Sequence, residues 1–342
     1  MPVTARAAVV MDGQTHRILY AKNADLKLKP ASTTKLVTAM VVLDKLNPDS
    51  VVIVSKDAAY TPSIAPRLRP GDRVTVRDLL YLALMRSING AAVALSEAVS
   101  GSQSSFALLM NEKVASLNAK NTKFVNATGL PAPGQYITAS NLAIILDSAL
   151  KYPLIKQIIN TREKDLYIGK RHLYLRNTDK LLWADDDLIG GKTGYTRAAE
   201  HCLVFAASKG NCTIVTSLLG EQIRDHLWSD GQKLLNQSVQ VANGTAQPEI
   251  YETKNPVVLT SYEPVRHGRH LSRRRRLLRH RLLRRRLLSR RLLKRKLLSQ
   301  RHSRAKRLRE RRLARLRARI LRHRRRVLRA RRYSHKRKYV RA

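Results

Sequence analysis

Leu188-Ile189-Gly190-Gly191-Lys192-Thr193-Gly194-Tyr195-Thr196, followed by the apolar runs Leu203–Ser208 and Thr213–Leu218, is the stretch that decides the fold. Each run is β-rich, and Lys209-Gly210 between the last two is a turn signal, so the segment reads as strands joined in antiparallel order. Downstream, Ser229–Gln240 has helical spacing and packs through Leu234 and Leu235. At the other end of the chain, Ala7–Met11 and Ile18–Ala21 flank Asp12-Gly13 and form another hairpin. Between these β regions the apolar period is helical. It covers Thr33–Leu46, Val76–Met85, Ala91–Val99, Ser105–Leu117, Ser140–Leu150 and Leu154–Ile159, before strands resume at Leu166. Hairpins dominate and βαβ alternation is missing. The expected fold is an α/β (α+β) sandwich, an antiparallel sheet flanked by helices.

Charge divides the chain. Of 342 residues, 67 are Lys or Arg and 24 are Asp or Glu, for a net +43. Residues 266–342 hold 37 of the basic residues and a single acid, Glu310, leaving only +7 on the first 265 residues. Three regions are expected: a catalytic domain over 1–240, a linker over 241–265 and an Arg/Leu-rich tail over 266–342, disordered or partly helical. No stretch approaches the ~18–20 apolar residues of a membrane-spanning helix. Cys202 and Cys212, placed by the expected turn about 16 Å apart, should be free core thiols rather than a disulfide. His16, His172, His201 and His226 lack metal-ligand spacing, so a zinc site is not expected; the serine–lysine chemistry described below calls for no cofactor.

Within the tail, Leu-Leu pairs recur every five residues from Leu277-Leu278 to Leu297-Leu298. At ~100° per residue successive pairs rotate by ~140°, which makes no apolar face. Residues 305–332 do better, with Leu313, Leu316, Ile320 and Val327 on one side. An anionic membrane surface, an anionic wall polymer or a nucleic acid are the partners such a polycation suits. Nucleic acid is the weakest of these, because Tyr333 and Tyr339 are the only tail aromatics on which bases could stack. A repeat or frameshift artefact without function is the bland alternative.

Chemistry is carried by Ser32-Thr33-Thr34-Lys35, Ser87-Ile88-Asn89 and Lys192-Thr193-Gly194, in that order. Ser32 opens a helix, where the dipole favours an anionic intermediate. Lys35 lies one turn later on the same face and can take the serine proton if burial or a second cation, Lys192, lowers its pKa. Ser87 and Asn89 point the same way from a loop, to relay a proton or hold a substrate amide. Thr193 and Gly194 sit on a strand edge where an extended peptide could add, with Lys192 and Thr193 gripping a carboxylate. Alone, each motif is most often a capping serine, an ordinary turn or a hairpin end; their conjunction on helix start, loop and strand is not.

With these motifs the chain resembles the low-molecular-mass D-alanyl-D-alanine carboxypeptidases, penicillin-binding proteins of the serine peptidase S11 type. The resemblance spans roughly residues 4–240 and extends to Pro30–Met40, Pro70–Leu80, Gly129-Leu130, Gly134-Gln135-Tyr136, Leu181-Leu182-Trp183 and Gly191–Thr196. It implies the serine β-lactamase/DD-peptidase (transpeptidase-like) fold. Ser32 would then be the acyl-forming nucleophile, Lys35 its base, and Ser87 and Asn89 relay and substrate contact. Lys192, Thr193, Gly194 and Tyr195 would bind substrate, with the Ser32 and Tyr195 backbone N–H groups forming an oxyanion hole. The implied substrate is a peptidoglycan stem peptide ending in D-Ala-D-Ala, with β-lactams as covalent inhibitors. Three positions depart from the family pattern. Ile88 replaces the usual Gly, Gly90 stands where Asp is common, and Glu200 ends the Lys-Thr-Gly-x-Thr-x-x-Ala-Gly run where the family has Gly. The family's carboxylate-binding Arg has no exact counterpart, and Arg224 is the nearest.

The rival enzyme is a class A β-lactamase, which needs a glutamate to activate water. No Glu occurs between Glu112 and Glu163, so penicillin is expected to acylate Ser32 and stay. A non-enzymatic rival is a polyanion-binding protein built on the tail. No signal peptide is legible, because Met1-Pro2-Val3-Thr4-Ala5-Arg6 runs straight into a strand, so either the protein is cytoplasmic or its leader is missing from this sequence. Because the implied substrate lies outside the cytoplasmic membrane, an exported protein of the periplasm or cell envelope is expected.

Overall fold

Period-two alternation along the strands sorts side chains into two cores. Ala7, Val9 and Met11 face one side with Cys202, Val204 and Ala206, whereas Ala8 and Val10 face the other with Leu203, Phe205 and Ala207. In the computed structural model, which describes residues 3–210 and 212–251, these faces belong to one six-stranded sheet.

Along the chain, β1 (Ala7–Asp12) and β2 (Ile18–Lys22) precede a 3-10 turn at Ala31–Thr34 and α1 (Lys35–Lys45). β3 (Val51–Ile53), α2 (Lys56–Tyr60) and β4 (Arg73–Thr75) come next, followed by α3 (Val76–Met85), α4 (Asn89–Ser100) and α5 (Gln103–Ser116). After a long loop come α6 (Ala139–Leu150), α7 (Pro153–Asn160) and the hairpin β5 (Glu163–Ile168) and β6 (Arg171–Arg176). β7 (Leu188–Thr196), β8 (Glu200–Lys209), β9 (Cys212–Glu221), α8 (Arg224–Ala242) and β10 (Glu249–Tyr251) complete it. Sheet order is β10-β2-β1-β9-β8-β7, antiparallel except where β10 runs parallel to β2. The larger core joins one sheet face to α1 and α3–α7; the smaller joins the opposite face to α8. This is the expected sandwich.

Several helices start on side-chain caps. The hydroxyls of Thr75, Ser102 and Thr138 accept from the N–H groups of Asp78, Ser105 and Asn141. Other boundaries differ from the sequence reading for local reasons. The β1–β2 connection is longer than Asp12-Gly13, because the Asp12 carboxylate accepts from the Gln14 and Thr15 N–H groups and holds a wider turn. Helix α8 starts at Arg224 rather than Ser229, since its first turn is polar and shows no apolar period. Cys212 pairs with Lys209 rather than with the expected Ala207, because the turn sits one residue later than Lys209-Gly210; both cysteines are free thiols. Within the stretch read as linker, α8 continues to Ala242 and β10 adds an edge strand. Residues 252–265, the Leu-Leu repeats and the expected helix at 305–332 lie outside the described residues. No helix among the described residues is long and apolar enough to cross a membrane.

Candidate active site

The three motifs converge. Ser32 sits in the 3-10 turn that leads into α1, and Lys35 follows it, its side chain fully buried. Lys35 Nζ donates to Ser32 Oγ at 2.8 Å, to Asn89 Oδ1 at 2.7 Å and to the Thr128 carbonyl at 2.8 Å. Three acceptors match the three donors of a buried lysine ammonium. Burial disfavours its charge, and the Lys192 ammonium adds repulsion, so the Lys35 pKa is held well below the ordinary lysine value. Burial is the larger of these two causes.

Ser87 and Asn89 arrive from the junction of α3 and α4. Ser87 has φ +60°, a left-handed conformation that costs a non-glycine residue about 1–2 kcal/mol. The sharp bend lets α4 begin at Asn89, so Asn89 is a helix-start residue and not the loop residue expected from sequence. Its side chain is held at both ends, Oδ1 by Lys35 and Nδ2 by the Pro62 carbonyl at 2.7 Å. Ser87 Oγ is buried and without a hydrogen-bond partner in the described structure. A strained backbone carrying an unpartnered hydroxyl marks a position shaped for something other than stability.

The third wall is β7, an edge strand of the sheet, as expected for Thr193 and Gly194. A Cβ on Gly194 would lie 2.9 Å from the Ser32 backbone nitrogen and 3.0 Å from Ala31 Cβ, so only glycine lets the edge run this close to the Ser32 turn. Thr193 Oγ1 shares a 2.6 Å hydrogen bond with Thr178 Oγ1. Lys192 is buried and donates to the Thr193 carbonyl at 2.9 Å. Burial brings its pKa to about 7, against the opposing pull of the Asp179 carboxylate. Asp179, itself fully buried, is pushed up to about 6 by desolvation, with the Leu181 N–H and Lys192 pulling the other way.

These walls enclose a cleft of about 310 Å³ lined by Ser32, Ser87, Asn89, Thr193, Gly194 and Tyr195, with Arg224, Leu227 and Trp228 from α8 closing one end. Tyr195 is exposed and stacks on His201, its cross-strand partner, at 4.4 Å. Burial and the Arg224 charge lower the His201 pKa. Arg224 is solvent-exposed on the rim. Glu200, where the resembling family has Gly, has φ +60° and a buried carboxylate oxygen with no partner in the described structure. Its backbone adopts the conformation glycine would adopt without strain.

Sequence reasoning missed Thr128, Thr178 and Asp179. Thr128 contributes a backbone carbonyl, which no residue type announces. It is set by an Asx turn in which Asn126 Oδ1 accepts from the Thr128 and Gly129 N–H groups. Gly129, at φ +78°, would place a Cβ 1.6 Å from the Ala31 carbonyl oxygen, so this loop presses on the Ser32 turn. Asn126-Ala127-Thr128-Gly129 was a readable turn signal; its long-range contact was not.

The profile of the peptidase S11 D-alanyl-D-alanine carboxypeptidase family matches residues 2–222. The D-alanyl-D-alanine carboxypeptidase DacC of Escherichia coli is 37% identical over 245 residues, 68% of this chain and 60% of that one. DacF of Bacillus subtilis, also named a D-alanyl-D-alanine carboxypeptidase, is 35% identical over 222 residues, 63% of this chain and 57% of that one. The chain thus spans about three fifths of the length of these two relatives. The solved structure of the Streptomyces K15 DD-transpeptidase superposes with a TM-score of 0.66 at 31% identity, covering 70% of this chain and 98% of that one. With motif order, cleft geometry and fold in agreement, the chain belongs to the D-alanyl-D-alanine carboxypeptidase family, peptidase S11.

Proposed function

We propose that the protein is a serine-type D-Ala-D-Ala carboxypeptidase that removes the terminal D-alanine from peptidoglycan stem peptides and is acylated by β-lactams. The observation that carries this is the buried Lys35 amine, 2.8 Å from Ser32 Oγ and with its pKa lowered. In its neutral form it accepts the Ser32 proton as Oγ attacks the carbonyl preceding the last residue. The tetrahedral oxyanion forms beside the Ser32 turn, where backbone N–H groups of Ser32 and Tyr195 would stabilise it. The proton passes to the departing amine, with Ser87 Oγ as relay, and D-alanine leaves. Lys35 then activates the water that hydrolyses the acyl-enzyme.

Substrate would lie along the β7 edge, its backbone pairing with the strand and Asn89 holding an amide. The terminal carboxylate would meet Lys192 and Thr193, with Arg224 adding positive charge at the rim. Among the described cleft-lining residues there is no carboxylate. A β-lactamase-type water activation by glutamate is therefore disfavoured, and a penicilloyl group on Ser32 should persist. Release of D-alanine from a soluble peptide ending in Lys-D-Ala-D-Ala, abolished by Ser32→Ala, is the expected result; no release by the intact protein would refute the reading.

A substrate of this kind is met outside the cytoplasmic membrane, and we place the enzyme there, in the periplasm or cell envelope. The surplus of basic residues over 266–342 would hold it to an anionic membrane surface. Co-sedimentation with anionic vesicles should then fall with rising salt and vanish when the tail is removed.

A further inference from the structure

Away from the cleft, the β5–β6 hairpin carries a feature that the core does not need. Its register sets Glu163 opposite Arg176, Asp165 opposite Tyr174 and Tyr167 opposite His172. Leu166, Ile168 and Leu175 point inward and are buried, whereas all six residues of the outward face are exposed. Tyr167 and Tyr174 are 67% and 54% exposed. Neither ring belongs to either apolar core. Each stands beside a polar group instead. The His172 ring lies 5.1 Å from the Tyr167 ring, and its Nε2 is 2.5 Å from Asp165 Oδ1. At the far end the Arg176 guanidinium covers the ring of half-exposed Trp183 at 4.8 Å.

Aromatic faces spaced between carboxylates and a guanidinium suit a sugar chain. The C–H faces of pyranose rings stack on aromatic planes, while hydroxyl and acetamido groups need nearby hydrogen-bonding partners. The four residue steps from His172 to Arg176 cover about 13 Å, room for more than one ring. The hairpin also ends close to the cleft. β6 ends at Arg176, two residues before the cleft residue Thr178. Arg86 donates to the Arg176 carbonyl, and the Thr178 N–H donates to the Met85 carbonyl, tying the end of this hairpin to the Ser87 bend.

We infer that the outer face of β5–β6 is a subsite for the glycan backbone of peptidoglycan, holding the N-acetylated sugar chain whose stem peptide enters the cleft at Ser32. The identity of the polymer rests on the carboxypeptidase reading above. On this account the enzyme acts on peptides still attached to their strand, and sugar-free peptides use only the cleft.

The test uses the full chain with N-acetylglucosamine tetramer and with glycan strands stripped of peptide, in salt high enough to screen the basic tail. Intrinsic fluorescence should report saturable binding by the unmodified protein. Tyr167→Ala combined with Tyr174→Ala should weaken it at least fivefold, and Tyr174→Phe, which keeps the ring, should bind within twofold of the original. Absence of sugar binding, or equal binding by the double variant, would overturn the inference. Labelling of Ser32 by fluorescent penicillin and D-alanine release from a sugar-free peptide are run on every protein. If these persist while sugar binding is absent, the subsite alone is wrong; if the unmodified protein shows neither, the carboxypeptidase reading itself fails.

Discussion

Lys35 Nζ is hydrogen-bonded to Ser32 Oγ at 2.8 Å while burial, and after it the charge of Lys192 in the neighbouring strand, depresses its pKa. A hydroxyl and two lysine amines from distant parts of the chain thus share one site. The nearer amine is poised to lose its proton, and Lys192 titrates at about 7. From that relationship the consequences below follow.

Replacing Lys35 removes both the base and three hydrogen bonds. Lys35→Ala should slow acylation of Ser32 by penicillin ~10²–10⁴-fold, the usual contribution of a positioned general base. Lys35→Arg, whose guanidinium cannot deprotonate, should be no better despite keeping the charge. Stopped-flow acylation rates check this. Recovery of activity in the Arg variant would show that charge, not basicity, is what the site uses.

The two lysines set opposite limbs of the pH profile. Lys35 must be neutral, so acylation should rise with pH through a pKa well below the ordinary lysine value. Lys192 must be charged to hold a carboxylate, so carboxylate-bearing ligands should lose rate as pH rises through about 7. A penicillin methyl ester lacks that carboxylate and should show the rising limb without the fall. The same alkaline fall for acid and ester would assign it to another group.

Asp179 keeps part of the Lys192 charge in place. Asp179→Asn retains an oxygen for the Leu181 N–H but removes the counter-charge that raises the Lys192 pKa. The alkaline limb should then move to lower pH and KM should rise more than kcat falls. For stability the sign is different. A carboxyl whose folded pKa is about 6, raised from 3.8, leaves the folded state holding the proton that the unfolded chain has lost. Stability from this group therefore falls as pH rises from about 3.8 to about 6, and this slope should flatten in the Asn variant.

Two left-handed residues separate strain used for function from strain that is not. Ser87→Gly should relieve backbone strain of about 1–2 kcal/mol, offset by ~0.5–1 kcal/mol of glycine entropy, and raise the melting temperature slightly. The same change should slow acylation by removing the relay hydroxyl. Glu200→Gly should give a comparable or larger stabilisation, since it also removes a buried unpartnered oxygen, and leave acylation within about twofold. Calorimetry paired with penicillin labelling reads both.

Much of this site was legible because each motif fell on the element its chemistry needs. Val76–Met85 was bounded to the residue by its apolar run, and the structure adds the Thr75 cap at its start. β3, β4 and α2 were missed because elements of three to five residues are too short to show a period. β10 was missed because its three residues are all exposed, so burial leaves no pattern in them. Nothing in the sequence around Asp179 marks it; its importance comes from burial beside Lys192, which only the fold supplies. Glu200 was flagged against the family pattern, and its φ of +60° gives the physical reason glycine suits that position.

The account turns on Ser32 becoming covalently bonded. Intact-mass measurement after incubation with benzylpenicillin, followed by peptide mapping, tests this most directly. The expected result is a single long-lived adduct of one penicillin mass on the peptide containing Ser32, absent in Ser32→Ala. An unlabelled protein, an adduct on another residue, or penicillin hydrolysed rapidly with no adduct would contradict it.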